Sequence, residues 1–353
     1  MSATKIIKIN TGQPDEHALY QAAEMIRRGK LVIIPTETVY GIAVNSADER
    51  AVERLAAIKQ RPDNKPYSLH IDVPEKIEEY ATDIPVTAFK LIDRFWPGPL
   101  TLIFKAKRGG TIGIRLPDDY VAQRVIGLSD VPVICPSANP AGQPPPLTCA
   151  DALADLRGKV DCAIDTGRTR LGVESTVVDV TVKPIRVLRE GAIKADDIMR
   201  EASRKIILFI CTGNSCRSVM AEGLLQKKLH QMGRDDIDVL SAGIMMADGL
   251  QASPETIELL RREGVDVSGH RSHRVSETIL RKSDLILVME HHQENRILQM
   301  DPGVKNRLYL LKEFAHGDGV DVDIPDPIGR NMDYYEFTFA VIKEAVEKVS
   351  QLM

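Results

Sequence analysis

The chain is short of aromatic residues, of cysteine and of positive charge. Aromatic residues make up 5% of its 353 residues, with one tryptophan and five cysteines. Cys135, Cys149, Cys162, Cys211 and Cys216 are odd in number and mostly scattered, which speaks against a disulfide framework and fits a reducing, cytoplasmic compartment. Lys and Arg number 46 against 50 Asp and Glu, a net charge of -4. That balance argues against a broad nucleic-acid footprint; any RNA contact is expected to be local or supplied by a partner. No apolar run approaches membrane-spanning length, and the opening MSATKIIKIN lacks the apolar stretch of a secretory signal. There is no solenoid-period repeat, no low-complexity tract and no G-x-x-x-x-G-K-[ST] phosphate loop. What remains is 43% hydrophobic and 27% charged, the composition of a soluble globular protein, and too long for one ordinary core.

Two α/β halves are expected, 1–203 and 204–353. In the first, Leu19, Ala22, Ala23 and Ile26 share one helical face near Asp15 to Arg28. Asp48 is placed to cap a second helix that ends before Pro62. Strands are expected at Leu31 to Ile34 and in TLIF, TIGIRL, VPVIC, STVVDV and IRVL. Several of these lie close together without helices between them, which predicts a mixed sheet. The second half alternates strand and helix regularly: ILFI from Ile207, a helix from Arg217, VLSAG, a helix opened by Ser253-Pro254, DLILVM, RLYLL and a C-terminal helix. That rhythm predicts a parallel sheet in three αβα layers. The stretch from Lys194 to Arg204 is polar with a few apolar residues, and the boundary is placed at its end, near Arg204, with no long linker.

The run ILFICTGNSCRS raises a chemical question. In a parallel sheet, ligands bind beyond the C-terminal strand ends, where Cys211 stands. The following helix offers free N–H groups and a positive dipole end, and Thr212 to Cys216 can wrap an anion. Arg217 adds a planar fork for two phosphate oxygens. This environment would favour a Cys211 thiolate, a nucleophile for phosphoryl transfer. Far downstream, Asp326 of DIPDPIG is a candidate acid for the leaving group.

Together these residues resemble the low-molecular-weight protein phosphatase family, whose loop C-x-G-N-x-C-R-S is matched by Cys211, Gly213, Asn214, Cys216, Arg217 and Ser218. The resemblance covers about Lys205 to Met353. It implies a phosphocysteine on Cys211, held by the loop amides of Thr212 to Cys216 and by Arg217, with Asp326 as general acid. It further implies that Asn214 holds the loop's shape, that Ser218 bonds the thiolate, and that Cys216 forms a protective, reversible disulfide with Cys211. Neither a metal nor a cofactor is implied. Val219 replaces the usual proline, and Asp326-Pro327 is followed by Ile328-Gly329 rather than the aromatic pair of tyrosine-directed members. With the small Ser215, this leans toward a phosphoarginine protein substrate over phosphotyrosine. Thioredoxin-coupled arsenate reductases carry a similar loop, but they need two further cysteines, and LVMEHHQENRIL has none.

In the first half, PTETVYG follows an apolar run directly, Lys59 and Arg61 stand at a helix end, and His70 enters a strand. Arg115 lies inside TIGIRL, Ser137 and Asn139 follow VPVIC, and Ser175 and Arg189 come later. Cations beside hydroxyls suit a polyphosphate. In order and spacing, P-T-E-T-x-Y-G, K-x-R, P-S-A-N and S-T-V-V-D resemble the threonylcarbamoyl-AMP synthase (YrdC-like) family over about Ile6 to Arg200. The resemblance implies a twisted sheet around a deep positive cavity. The implied reaction joins L-threonine, bicarbonate and ATP into threonylcarbamoyl-AMP and pyrophosphate. That product feeds t6A formation at tRNA position 37 by a separate threonylcarbamoyl transferase complex. Lys59, Arg61, Ser137, Asn139 and Arg189 would hold ATP, with Mg²⁺ expected on it. Thr36 and His70 would hold threonine, and Arg115 and Ser175 would line the carboxylate and bicarbonate side. Ala141 stands where serine is commoner. Two rival readings stay open here: an RNA-binding module in the first half, and a phospho-recognition domain without turnover in the second.

Overall fold

The computed structural model describes residues 3–60, 67–245, 248–317 and 322–353. Its contacts divide the chain into two compact units, Met1–Ala202 and Ser203–Met353. The first unit holds β1 (Lys5–Lys8), β2 (Val32–Ile34), β3 (Gly41–Asn45), β4 (Leu69–His70), β5 (Ala81–Thr82), β6 (Leu100–Ala106), β7 (Thr111–Arg115), β8 (Val133–Ile134), β9 (Cys162–Asp165), β10 (Thr176–Asp179) and β11 (Arg186–Arg189). They form one sheet in the order β1-β9-β2-β3-β8-β4-β7-β6-β10-β11, with β5 paired to β6. The sheet is mixed: β1, β2 and β9 run parallel, whereas β2–β3, β6–β7 and β10–β11 are antiparallel.

Apolar cover lies on both faces of this sheet. Along one strand edge, Leu31 and Ile33 enter one core while Val32 and Ile34 enter another, as the two-residue period of a strand requires. The Glu16–Arg27 helix is opened by Asp15, whose carboxylate accepts from the N–H groups of His17 and Ala18, and it buries Ala18, Leu19, Ala22, Ala23 and Ile26. Asp48 caps the Glu49–Lys59 helix in the same way through Ala51. Two details differ from the sequence reading. VPVIC contributes Val133 and Ile134 to the sheet as a strand; past Pro136, which lacks a donor, the pairing with β3 is reduced to the Ile42 N–H bond to the Pro136 carbonyl and a bridge between Gly41 and Ser137. The polar stretch after Lys194 is a helix, Ala195–Ser203, anchored by the fully buried Ile198.

The second unit carries β12 (Lys205–Cys211), β13 (Ile237–Gly243), β14 (Leu285–Val288) and β15 (Leu308–Leu310), all parallel, in the order β13-β12-β14-β15. Alternate residues of β12 serve two cores. Ile207 and Phe209 meet the Arg217–Gln231 and Met332–Gln351 helices, while Leu208 and Ile210 meet Leu280 and Ile297 on the other face. The αβα layering follows from that alternation. Among the described residues no helix is long and apolar enough to cross a membrane.

Candidate active sites

In the first unit the residues that sequence reasoning singled out converge on a cavity of about 480 Å³, lined among others by Thr36, Lys59, His70, Arg115, Ser137, Ser175 and Arg189. Thr36 begins the tight turn after β2. Its hydroxyl accepts from the N–H groups of Thr38 and Val39 (both 3.2 Å) and donates to the Val39 carbonyl at 2.7 Å, so the turn is self-supporting. Lys59 ends its helix at 5% exposure and donates to the carbonyls of Ser137 (2.7 Å) and Asn139 (2.5 Å). Asn139 is therefore placed behind Lys59 rather than on the cavity wall. Arg61 lies outside the described residues.

Arg115 ends β7 and is buried. Its Nη2 donates to Glu37 Oε1 at 2.7 Å and to Thr38 Oγ1 at 2.8 Å, and its Nε donates to the Gly98 carbonyl at 3.3 Å. His70, at the end of the neighbouring β4, is held at a pKa of about 3 by burial and then by the Arg115 charge, so its imidazole is neutral at neutral pH. Arg189 reaches back over β10: Nε and Nη2 donate to the Ser175 carbonyl (3.1 and 2.8 Å) and Nη1 to Glu174 (2.9 Å). This close return needs Gly191, since a Cβ there would lie 2.2 Å from the Glu174 carbonyl oxygen. Two of the wall's described cations, Arg115 and Arg189, are thus each paired with a carboxylate. Sequence reasoning missed Ser68, Thr101, Glu174 and Cys135 on the wall. Thr101, a buried hydroxyl inside an apolar strand and in register with Arg115, carried the signal that could have found it. Burial raises the Cys135 thiol to about 12, which keeps it protonated.

In the second unit Cys211 is the last residue of β12 and Arg217 the first of the helix that follows. Between them the chain wraps back on the sulfur: Cys211 Sγ lies 3.2 Å from the Asn214 N–H and 3.0 Å from Ser218 Oγ. Asn214 takes a left-handed φ of 51°, which asparagine tolerates better than most residues. Its buried amide donates to Ser218 (3.0 Å) and Ser241 (2.8 Å) and accepts from His273 N–H (2.8 Å). Gly243 leaves room for the loop, because a Cβ there would sit 2.9 Å from the Thr212 carbonyl and 3.0 Å from Asn214 N.

Arg217 is fully buried. Nη1 is paired with Glu290 and donates to the Ile324 carbonyl at 2.6 Å, and Nη2 is paired with Asp326 and reaches Thr212 Oγ1 at 3.3 Å. Burial opposes the guanidinium charge, but Cys211, Asp326 and Glu290 together hold it above its ordinary range. Nε is buried and has no partner among the described residues. Cys216 Sγ sits within 3.5 Å of Ser253 Oγ and Tyr335 Oη and 3.6 Å from Ser215 Oγ. Beside the loop runs an open groove lined in part by Ser215, Leu250, Ile257 and Ile328. Glu290, Ser241, His273 and Tyr335 were not foreseen. Glu290 stands just beyond a strand end, as Cys211 does, and the same positional argument would have found it.

Comparison with known proteins was made against this geometry. A family model described as telomere recombination (Sua5/YciO/YrdC) matches residues 24–191, and one described as low molecular weight phosphotyrosine protein phosphatase matches residues 206–353. A putative threonylcarbamoyl-AMP synthase of Methanocaldococcus jannaschii is 37% identical over 205 residues, 56% of this chain and 97% of that one. A probable low molecular weight protein-tyrosine-phosphatase, EpsP, of Ralstonia solanacearum is 34% identical over 143 residues, 40% of this chain and 92% of that one. The chain belongs to both families. Its synthase-family half carries the first cavity within the matched range, and its phosphatase-family half carries Cys211 through Asp326. The threonylcarbamoyl-AMP synthase of Pyrococcus abyssi is 40% identical over 219 residues, 60% of this chain. This chain spans 64% of that relative's length and 57% of its Bacillus subtilis counterpart's. The crystal structure of P. abyssi Sua5 complexed with L-threonine superposes with a TM-score of 0.54 at 28% identity, covering 87% of this chain and 99% of that one.

Proposed function

We propose that the chain is bifunctional. Its first unit makes threonylcarbamoyl-AMP and pyrophosphate from L-threonine, bicarbonate and ATP, and its second removes phosphate from a phosphorylated protein. The first assignment is carried by the cavity, in which Lys59, Arg115 and Arg189 stand beside the hydroxyls of Thr36, Ser137 and Ser175 around a neutral His70. In this reading the carboxylate of carboxythreonine attacks the α-phosphorus and pyrophosphate leaves. The protein's part is to orient the reactants and offset charge. Lys59, Ser137 and Arg189 face the phosphates, Asn139 fixes Lys59, and Thr36, His70, Arg115 and Ser175 face the amino acid and bicarbonate. Among the described residues no group of three His, Cys, Asp or Glu side chains is arranged to hold a metal, and Glu174 is the carboxylate that lines the cavity. In this reading Mg²⁺ comes as the counterion of the ATP substrate. The product is an activated threonylcarbamoyl donor for tRNA position 37, made for a transferase in the cytoplasm.

The second assignment is carried by the Arg217 Nε, a buried donor with no partner among the described residues, at the helix start that closes the loop in which the Cys211 sulfur already receives the Asn214 N–H. A phosphate seated in the loop would satisfy that donor. Cys211 Sγ then attacks phosphorus, the bond to the leaving atom breaks, and Asp326 supplies the proton. Water releases phosphate from the phosphocysteine. Ser215 and Ile328 wall the mouth without an aromatic ring, which favours the slim stem of phosphoarginine over phosphotyrosine.

Two assays on the full chain test these readings. Pyrophosphate release should require threonine and bicarbonate together and fail in Lys59→Ala. Release without them, or none at all, refutes the synthase reading. Phosphoarginine and phosphotyrosine peptides should be hydrolysed in that order of preference by the native chain and not by Cys211→Ser. Hydrolysis of neither peptide, or hydrolysis that survives in Cys211→Ser, refutes the phosphatase reading, and the reverse order of preference refutes the choice of phosphoarginine.

A further inference from the structure

Glu37 has no assigned part in the chemistry, yet it is among the most buried carboxylates of the chain, at 2% exposure. One oxygen takes the 2.7 Å bond from Arg115 Nη2, and the other, Oε2, is buried and has no partner among the described residues. Glu37 does not line the cavity, whereas Arg115 does. Burying a carboxylate with one oxygen unsatisfied is costly, and a neutral residue able to accept from Arg115 would avoid that cost. The negative charge itself is therefore the feature that needs explaining.

On the cavity wall the Arg115 charge is offset by Glu37, and the adjacent His70 is neutral. Lys59, on the same wall, donates to the carbonyls of Ser137 and Asn139. A guanidinium so paired and buried still presents N–H donors to a carboxylate, but it has little net attraction for a polyphosphate; the Arg189–Glu174 pair is exposed, so Arg189 can exchange its partner for phosphate. The synthase reaction has this problem to solve, since threonine, bicarbonate and ATP all bring anionic oxygens to one cavity.

We propose that Glu37 is a positioning residue that neutralises and aims Arg115, reserving its guanidinium for the threonine carboxylate and denying it to phosphate. This rests on the synthase reading. The test is made on the full chain with Glu37→Gln, which keeps an acceptor for Arg115 and removes the charge. Inorganic pyrophosphate binding is measured by calorimetry, and the threonine KM and kcat are measured by pyrophosphate release. Glu37→Gln should bind pyrophosphate about tenfold or more tightly. It should raise the threonine KM about tenfold while changing kcat far less. The phosphatase-family half is identical in both proteins, so any pyrophosphate it binds cancels in the comparison. A gain in pyrophosphate affinity is a result that mere structural damage would not give. Unchanged or weakened pyrophosphate binding overturns the proposal. If Glu37→Gln does not fold, Glu37→Asp carries the test. Drawing the charge back by one methylene should tighten pyrophosphate by a smaller factor, and no tightening overturns the proposal. If the native chain shows no turnover, the synthase reading fails, and the binding arm still decides whether Glu37 excludes phosphate.

Discussion

Asn214 is the residue whose loss the structure prices most clearly. In Asn214→Ala, two buried donations, to Ser218 and Ser241, and one acceptance, from His273 N–H, disappear together. Each such bond contributes roughly 1 kcal/mol net. Alanine must also hold the φ of 51°, which costs about 1 kcal/mol more. Together these come to about 4 kcal/mol, or a fall of roughly 8–16 °C in Tm for a unit of this size. Scanning calorimetry of the full chain should show the transition of Ser203–Met353 shifted while that of Met1–Ala202 stays in place, since the three bonds lost all lie within Ser203–Met353. Asn214→Gly loses the same bonds without the backbone penalty and should recover about 1 kcal/mol. A shift under about 2 °C for alanine, or a glycine variant less stable than alanine, would refute this account of the loop.

Three further outcomes follow from other parts of the structure. Arg217→Lys should lower phosphatase kcat by about 10²-fold or more, because a point charge cannot replace the buried fork that also engages Glu290 and Asp326, while pyrophosphate release stays native. His70 is neutral when folded, with a pKa of about 3 against an unfolded value near 6.5, so the unfolded chain binds the extra proton. Its contribution is complete above pH ~6.5 and is lost as pH falls toward 3; the first unit should lose about 2 kcal/mol by pH 5, and urea titrations of His70→Asn should show a flatter slope. Gly243→Ala places a Cβ about 3 Å from the Thr212–Asn214 backbone and should depress phosphatase turnover without altering ATP turnover.

Much of the site was legible because motif residues stand where strands end. Cys211 and Arg115 close β12 and β7, and Lys59 closes a helix, so position and chemistry pointed the same way. The helix caps Asp48 and Ser253 were equally plain, since a short polar side chain before an apolar period has few other uses. The carboxylates were harder. In the linear chain Glu37 and Glu290 look like any acid, and only the folded neighbours show that each sits against a buried arginine. For Asn139 a motif gives the company a residue keeps, and only the fold shows that it sits behind Lys59. The Ala195–Ser203 helix was hidden by its polarity, since one fully buried side chain, Ile198, anchors it.

The first unit's three cysteines have a practical consequence for chemical labelling. Burial raises Cys135 to about 12 and Cys149 and Cys162 to about 11, so all three stay as unreactive thiols at neutral pH. An alkylating reagent that is itself a small anion, such as iodoacetate, is drawn instead to the loop around Cys211. One such treatment should silence the phosphatase-family half and spare the other. The two functions could then be dissected in the intact chain with no change to its sequence.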